Sequence, residues 1–353
     1  MSEKKALIAM SGGVDSSVAA YLAQQEGFSC IGGTMRLCDQ LLPAPNTAPN
    51  DAAAVAEKMG IPFYCIDNTD AFTQLVVEEF IHSYESGLTP NPCICCNRHL
   101  KFGLLLQQAR ELGCSHIVTG HYAIIRQDPD TGRYLLCKAV DKAKDQSYFL
   151  ACLTQEQLAH SLFPLGTYTK EQIREIAEEQ GFLTARKRDS QDICFIPDGD
   201  YRKFMERYTG KHYPPGAFLD QSGKPVGTHN GAVSYTIGQR KGLGLAMGTP
   251  VYVLDKDMER NTVTVGPDAD LFHTTLIATD WNWISIPELS APINVLARIR
   301  YRHTEQSAKV YPMEDGTAKV VFETPQRAIT PGQTVVLYDG DVVIGGGIIR
   351  NVL

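Results

Sequence analysis

Two groups of residues in this 353-residue chain have the types and spacing to do chemistry. The first is Ser11-Gly12-Gly13-Val14-Asp15-Ser16-Ser17, with two glycines, three hydroxyls and one carboxylate in seven positions. Glycines let backbone N–H groups come close to a phosphate. The hydroxyls and the carboxylate suit phosphate oxygens and a hydrated magnesium ion. A helix cap would need only Asp15 or Ser16, and it explains neither the Gly-Gly pair nor the number of hydroxyls. The Gly-Lys-Ser/Thr of the lysine-containing P-loop is absent. The second group is made of thiols. Asn91-Pro92-Cys93-Ile94-Cys95-Cys96-Asn97 contains Cys93 and Cys96 at Cys-x-x-Cys spacing, and Asp192-Ile193-Cys194-Phe195-Ile196 adds a third thiol far along the chain. Three readings are open. A structural zinc site lacks an evident fourth ligand. A redox or sulfur-relay pair requires two thiols that meet in the fold, one of them of low pKa. A three-thiolate iron–sulfur site with an open iron also uses three cysteines.

These residues must be held by regular elements. Ala6–Met10 is an apolar run that reads as a buried strand, and Val18 to Ala23 reads as a helix. A strand, a glycine-serine turn and a helix N-terminus together form an anion site, because the helix end adds unpaired donors and partial positive charge. Further strand-like runs are Cys30–Met35, Pro62–Ile66 and His116–Thr119; helix-like runs are Ser16–Glu26, Asp51–Met59, Ala71–Ser86 and Leu100–Leu112. This alternation predicts a doubly wound parallel sheet. Ligands in such sheets lie beyond the carboxyl ends of the strands, which makes the serine loop, Met35-Arg36 and Gly120-His121 candidate ligand loops. Asp128 to Gly132 reads as the turn of a hairpin between Tyr122–Arg126 and Arg133–Ala139. Helices are expected at Thr154–Ser161, Lys170–Gln180 and Asp200–Tyr208. The turn-rich segment Thr209 to Gly216 marks a boundary. Beyond it lie short β runs: Val251–Leu254, Thr262–Val265, Val295–Arg300, Ala308–Tyr311, Ala318–Phe322, Thr334–Leu337 and Val342–Ile349. The expectation is an α/β N-terminal domain over 1–208, a small β-rich domain over 209–272 and a β-barrel over 273–353.

Bulk properties narrow the class. An apolar share of 43% with 21% charged residues is that of a globular protein. No secretory pattern opens the sequence and no apolar run is long enough to cross a bilayer, so a cytoplasmic, membrane-free protein is expected. The net charge of −7 argues weakly against nucleic acid, since phosphate contacts need only a local basic face. Candidate faces are Arg186-Lys187-Arg188 and the trio Arg298, Arg300 and Arg302. None of the ten cysteines lies beyond Cys194, and a disulfide framework would be unusual in a large cytosolic chain. Thiol chemistry in the N-terminal part fits better, with Cys65 and Cys137, inside apolar runs, expected to be buried small residues.

The serine loop resembles the SGGxDS loop of the ATP pyrophosphatase (PP-loop) group, which cuts ATP between the α- and β-phosphates and typically adenylates a carbonyl oxygen. Taken in order with Asn91-Pro92 to Cys96-Asn97, Lys144-Asp145-Gln146-Ser147-Tyr148-Phe149, Ile193-Cys194-Phe195-Ile196 and Tyr235 to Leu243, it resembles the tRNA-specific 2-thiouridylase family essentially end to end. The resemblance implies ATP-dependent 2-thiolation of the wobble uridine in the tRNA anticodon loop, with release of AMP and pyrophosphate. It implies that Ala9, Met10, Ser11, Gly12, Gly13, Val14, Asp15, Ser16, Met35 and Gly120 bind ATP with Mg2+. Cys194 would carry a persulfide, and Cys96 would be the nucleophile that closes a transient disulfide with it. Asn91, Pro92 and position 93 would meet the target base, while Lys144, Asp145, Gln146, Arg300 and Tyr301 would contact tRNA. A sulfur-donor protein and a monomeric enzyme are expected. One departure matters: many members have Asp where this chain has Cys93, and a thiol cannot stand in for a carboxylate near neutrality. With Cys96 and Cys194, Cys93 would complete a ligand set for a [4Fe-4S] cluster, the alternative sulfur-delivery route. Rival readings are another PP-loop synthetase, which needs no remote thiols, and a non-enzymatic nucleotide sensor with an RNA-binding tail.

Overall fold

The computed structural model of the chain describes residues 4–38, 41, 47–185, 187 and 193–353. Arg186, Arg188 and Asp192, named above, lie outside them. The N-terminal part contains β1 (Lys5–Ala9), β2 (Ser29–Arg36), β3 (Phe63–Asp67), β4 (His116–Val118), β5 (Ala123–Gln127), β6 (Tyr134–Lys138) and β7 (Ser161–Leu162). Five of these form a parallel sheet in the order β3-β2-β1-β4-β7. The chain moves outward from β1 to β3 and then returns to β4 on the other side of β1. That reversal opens a crevice at the carboxyl ends of β1 and β4, where open α/β sheets take their ligands.

Helix α1 (Val14–Gln25) is fixed to the sheet by small residues. Its Val18, Ala19, Ala20 and Ala23 are fully buried and pack with Ala6 and Ile8 of β1 and with Ile173 and Ala177 of the helix Lys170–Glu179. The opposite face of the sheet is covered by Phe102, Leu105 and Leu106, which meet Leu7 and Ile117. Two of the covering helical stretches change winding. Thr69–Phe72 runs through a π segment, Thr73–Val77, into Glu78–Glu85. Pro92–Cys96 likewise runs through a π segment, Asn97–Leu104, into Leu105–Glu111. The second helix thus starts well before the expected Leu100. Asn91 caps the helix and Pro92 takes its first position, where a missing N–H does no harm.

Two expectations are corrected. Ser161, expected in a helix, belongs to the short edge strand β7. Cys65 is exposed because β3 is also an edge strand of the sheet, whereas Cys137 is buried as expected.

Beyond the helix Tyr201–Thr209, strands β8 (Gly216–Leu219), β9 (Pro225–His229), β10 (Tyr252–Asp257) and β11 (Thr262–Gly266) form a four-stranded sheet over Phe218, Val253 and Val263. The remaining strands are β12 (Phe272–Trp283), β13 (Ile293–Arg298), β14 (Gln306–Pro312), β15 (Ala318–Arg327), β16 (Thr334–Asp339) and β17 (Val342–Val352). They run β12-β15-β14-β13-β16-β17, and β17 pairs back to β12, which closes the barrel. Closure depends on glycine in β17. A Cβ at Gly345 would lie 2.6 Å from the Asn282 carbonyl oxygen, and one at Gly347 would lie 2.7 Å from the Trp281 ring.

The barrel is docked on the first domain by polar contacts at buried positions. The hairpin β5–β6 pairs with β17 at Cys137 and Val342. Tyr148 Oη donates to the Thr334 carbonyl at 2.8 Å, and Asn282 Nδ2 donates to the carbonyls of Ala151 and Leu153 at 2.8 Å. The buried Asp145 carboxylate accepts from the Ala139 and Ser147 amides and from Ser147 Oγ, and it faces Arg298 Nη1 at 3.8 Å. Removing one partner of such a pair strands a charge in a poorly solvated place. Asp145→Ala should therefore cost about 3 kcal/mol as the barrel loosens, while Asp145→Ala with Arg298→Met should recover most of the loss. Scanning calorimetry checks this, and an unchanged first transition in the single variant would mean that the seam does not depend on the pair.

Candidate active site at the carboxyl edge of the sheet

The serine loop follows β1 directly. Gly12 adopts φ +68°, and a Cβ there would strike the Ala48 carbonyl oxygen at 2.4 Å, so only glycine lets the loop turn beneath the next helix. The N-cap of α1 is Gly13, which offers no side chain; the reading of Asp15 or Ser16 as a simple cap does not hold. Instead the serines brace the loop from within. Ser16 Oγ and Ser17 Oγ donate to the Gly13 carbonyl at 3.1 and 2.9 Å, and the Ser11 amide donates to Ser16 Oγ at 3.1 Å. The first helical amide bonded in the α1 ladder is that of Ser17, which reaches the Gly13 carbonyl. First-turn amides ahead of it have no helical acceptor, which is what an anion site needs. Gly120, after β4, completes the cradle: a Cβ there would lie 2.8 Å from the Asp15 carbonyl carbon and the Ser16 nitrogen.

Asp15 is held more tightly than its sequence position indicates. Lys170 Nζ donates to both of its oxygens at 2.7 and 2.8 Å, and Tyr122 Oη donates to Oδ1 at 2.7 Å. Lys170 is buried and stands at the start of a helix with a complete capping box from Thr169 and Gln172. The carboxylate's charge is thus compensated by an ammonium while the group still lines the cavity.

A single cavity of about 1240 Å³ lies over this edge. Ala9, Met10, Ser11, Asp15, Ser16, Met35 and Gly120 line it, as do Pro92, Cys93, Cys96, Cys194, Lys144 and Gln146. The loop and the three thiols singled out from sequence therefore share one space. Gly12, Gly13 and Val14 do not line it. Asn91 accepts from the Cys93 amide at 3.2 Å and caps the helix that carries Cys93 and Cys96. Asp145 is buried in the seam. Arg300 Nη1 donates to the Arg327 carbonyl at 3.0 Å within the barrel, and the Tyr301 ring packs on Phe149 of the first domain at 4.3 Å, so Tyr301 belongs to the junction between the two. The cavity also contains residues that the sequence reading did not single out: Thr34, Cys38, Lys101, Thr119 and Arg174.

The thiols are chemically uneven. Cys93 and Cys194 show surface to the cavity while protein surrounds them on most sides; Cys96 is buried. Burial pushes the Cys96 thiol up to about 11, against the pull of Lys101, and raises Cys93 as well. Cys194 is raised chiefly by its hydrogen bond with the Cys38 thiol and then by burial. Lys101 is the cation common to all three, and it also helps to keep the buried His121 neutral. It lies in the π segment Asn97–Leu104. Residues five apart fall on different faces of an α-helix, whereas i→i+5 winding stacks them, so Lys101 returns toward the side of Cys96. Cys95 is turned away, its thiol donating to the Leu75 carbonyl at 2.8 Å.

Comparison with known proteins agrees along the whole chain. Residues 4–198 match the family described as tRNA methyl transferase HUP domain, 202–267 the tRNA methyl transferase PRC-barrel domain, and 273–349 the aminomethyltransferase beta-barrel domain. The chain is 49% identical over 364 residues to the tRNA-specific 2-thiouridylase MnmA of Acetivibrio thermocellus, covering 99% of this chain and 100% of that one. It is 51% identical over 356 residues to tRNA-specific 2-thiouridylase MnmA 1 of Caldanaerobacter subterraneus, covering 98% of each.

The raised thiols predict a pH dependence. A thiol is nucleophilic only as thiolate, and below its pKa the thiolate fraction rises about tenfold per pH unit. Alkylation of Cys96 by a small haloacetamide, followed by peptide mass spectrometry, should be slow at pH 8 and still climbing at pH 10. Lys101→Met should slow it further, because the ammonium favours the thiolate. A plateau near pH 8 would show that burial does not govern this thiol.

Proposed function

The chain belongs to the tRNA-specific 2-thiouridylase family, and from that premise we propose that it replaces the C2 oxygen of the wobble uridine of tRNA by sulfur, with ATP as the activating co-substrate. The observation that carries this reading is the single cavity into which both the phosphate-type loop and the thiols open. Two of the matched family descriptions speak of methyl transfer. A space that joins a phosphate cradle to several thiols suits adenylation and sulfur chemistry instead.

The uridine carbonyl is a poor electrophile, so its oxygen must first become a leaving group. The C2 oxygen attacks the α-phosphate, the bond to the β-phosphate breaks, and pyrophosphate departs into the donors of the Ser11 to Ser16 loop. Mg2+ would accompany ATP, with Asp15 on the cavity wall beside its phosphates. Cys194, loaded as a persulfide by a separate sulfane-sulfur donor protein, attacks C2 with its outer sulfur. AMP leaves with the former C2 oxygen. The Cys96 thiolate then attacks Cys194 Sγ, which forms a Cys96–Cys194 disulfide and frees the thiocarbonyl. The target base must leave the anticodon stack to enter, at a cost of roughly a few kcal/mol, and unpaired loop bases are the usual objects of such recognition. Asn91, Pro92 and Cys93 border its place. Lys144 and Gln146 extend the cavity wall toward the tRNA backbone, and the barrel, over 273–353 with Arg300 and Tyr301, grips the tRNA. The chemistry resides in 1–208, and the enzyme works as a monomer.

An iron–sulfur cluster on Cys93, Cys96 and Cys194 fits less well. Among the described residues no three His, Cys, Asp or Glu side chains converge closely enough to hold a metal ion.

Pyrophosphate should appear when ATP is mixed with tRNA and not with amino acids, and Cys194→Ser should abolish thiolation while tRNA binding persists. Retained thiolation would remove the sulfur-carrying role of Cys194. Lys144→Ala should weaken tRNA binding and reduce the slope of log K against log salt by about one; an identical slope would show that Lys144 meets no phosphate.

A further inference from the structure

The basic run Arg186-Lys187-Arg188, a candidate face for nucleic acid, places its central residue on the phosphate-type loop instead. Lys187 Nζ donates to the Gly12 carbonyl at 3.1 Å and to Asp51 Oδ2, in the helix Ala48–Met59, at 2.7 Å. The segment that carries Lys187 is docked on α1. Phe182 and Ala185 are buried in one apolar cluster with Ala19 and Ala20. Thr184 Oγ1 hydrogen-bonds to Ser17 Oγ at 3.1 Å, and the Lys187 amide donates to the Thr184 carbonyl at 2.9 Å. Gly12 does not line the cavity, but Ser11 before it and Ala48 against it both do, so the ammonium stands at the cavity's rim.

We propose that Lys187 is a catalytic residue of the adenylation step, its ammonium passing from Gly12 and Asp51 to the departing pyrophosphate. The proposal rests on the reading that ATP is split at this loop. Lysine-containing P-loops set an ammonium on the β- and γ-phosphates from within the loop, and this loop has no lysine of its own. Lys170, also at the loop, is committed to both oxygens of Asp15. Lys187 has three N–H donors. Two are used, and the third has no partner among the described residues. The Lys187 and Asp51 side chains are 43% and 39% exposed, and exposed pairs of this kind are weak. The flexible four-carbon stem therefore lets the ammonium leave Asp51 when a polyphosphate arrives. As the C2 oxygen bonds to the α-phosphorus, the bond from that phosphorus to the α–β bridging oxygen breaks. Its electron pair goes with the pyrophosphate. The ammonium meets this growing charge and keeps its protons.

The test uses the full chain with ATP, magnesium chloride and unmodified tRNA, and reads pyrophosphate release in the first turnover. Lys187→Met, Lys187→Arg and Asp51→Asn are compared with the wild type. Release should slow roughly 100-fold in Lys187→Met and be partly restored in Lys187→Arg. It should stay within about fivefold of wild type in Asp51→Asn, which removes the pair but not the ammonium. The ATP concentration for half-maximal release should change far less than the rate, because the charge grows only as the bond breaks. The salt slope of tRNA binding should keep its wild-type value. In the wild type, where no variant has to fold, magnesium pyrophosphate should shield Lys187 from an amine-acylating reagent, mapped by peptide mass spectrometry. Undiminished release from Lys187→Met, or unshielded labelling, would overturn the proposal. So would an equal loss in Asp51→Asn, the mark of a strap, or a salt slope lowered by about one with release intact, the mark of a tRNA contact. No pyrophosphate from the wild type with tRNA would instead overturn the reading beneath it.

Discussion

The carboxylate of Asp15 is the point on which the site hangs. It stands in the first turn of α1, against a loop that must stay open to anions, and a partly buried negative charge there needs compensation. Lys170 supplies it from 155 positions away and Tyr122 from 107. The Tyr122 backbone is in turn paired with Gln146: its amide donates to the Gln146 side chain, and the Gln146 amide donates to its carbonyl. Beside Gln146 is Asp145, which engages Arg298 of the barrel. One chain of polar contacts therefore runs from the phosphate-type loop to the β-barrel.

The sulfur half of the site obeys an opposing constraint. Thiols kept from water stay protonated and are protected from indiscriminate oxidation, but a protonated thiol is a poor nucleophile. Burial is the largest influence on Cys93 and Cys96, and Lys101 is the counterweight. The crevice where the sheet reverses makes the combination feasible, since it lets loops after β1, β2 and β4 bring their residues to one space.

Much of this was legible in the residues, and the exceptions have physical causes. The loop and the Cys93–Cys96 spacing are local patterns, so they showed in the sequence; so did the alternating elements and the β runs of the barrel. Lys170, Tyr122, Lys101 and Cys38 were not legible, because their importance comes from contacts across the fold. Strand β12 escaped because its exposed and half-buried positions, rich in Thr, Asp and Asn, do not alternate cleanly. The helix from Pro92 was hidden by an Asn-Pro pair that more often signals a turn. Asp145 and Tyr301 entered only through the resemblance, and nothing local in the sequence showed that Asp145 would face Arg298 or that Tyr301 would pack on Phe149 across the domain boundary.

The π winding at Asn97–Leu104 has a consequence for timing. It delivers one ammonium, Lys101, to a neighbourhood shared by three sulfurs and an imidazole. A single cation can shelter only one anionic sulfur well, and a second would face like charge in a space poor in water. The cavity thus shelters one thiolate well at a time, while the neighbouring thiols keep their protons.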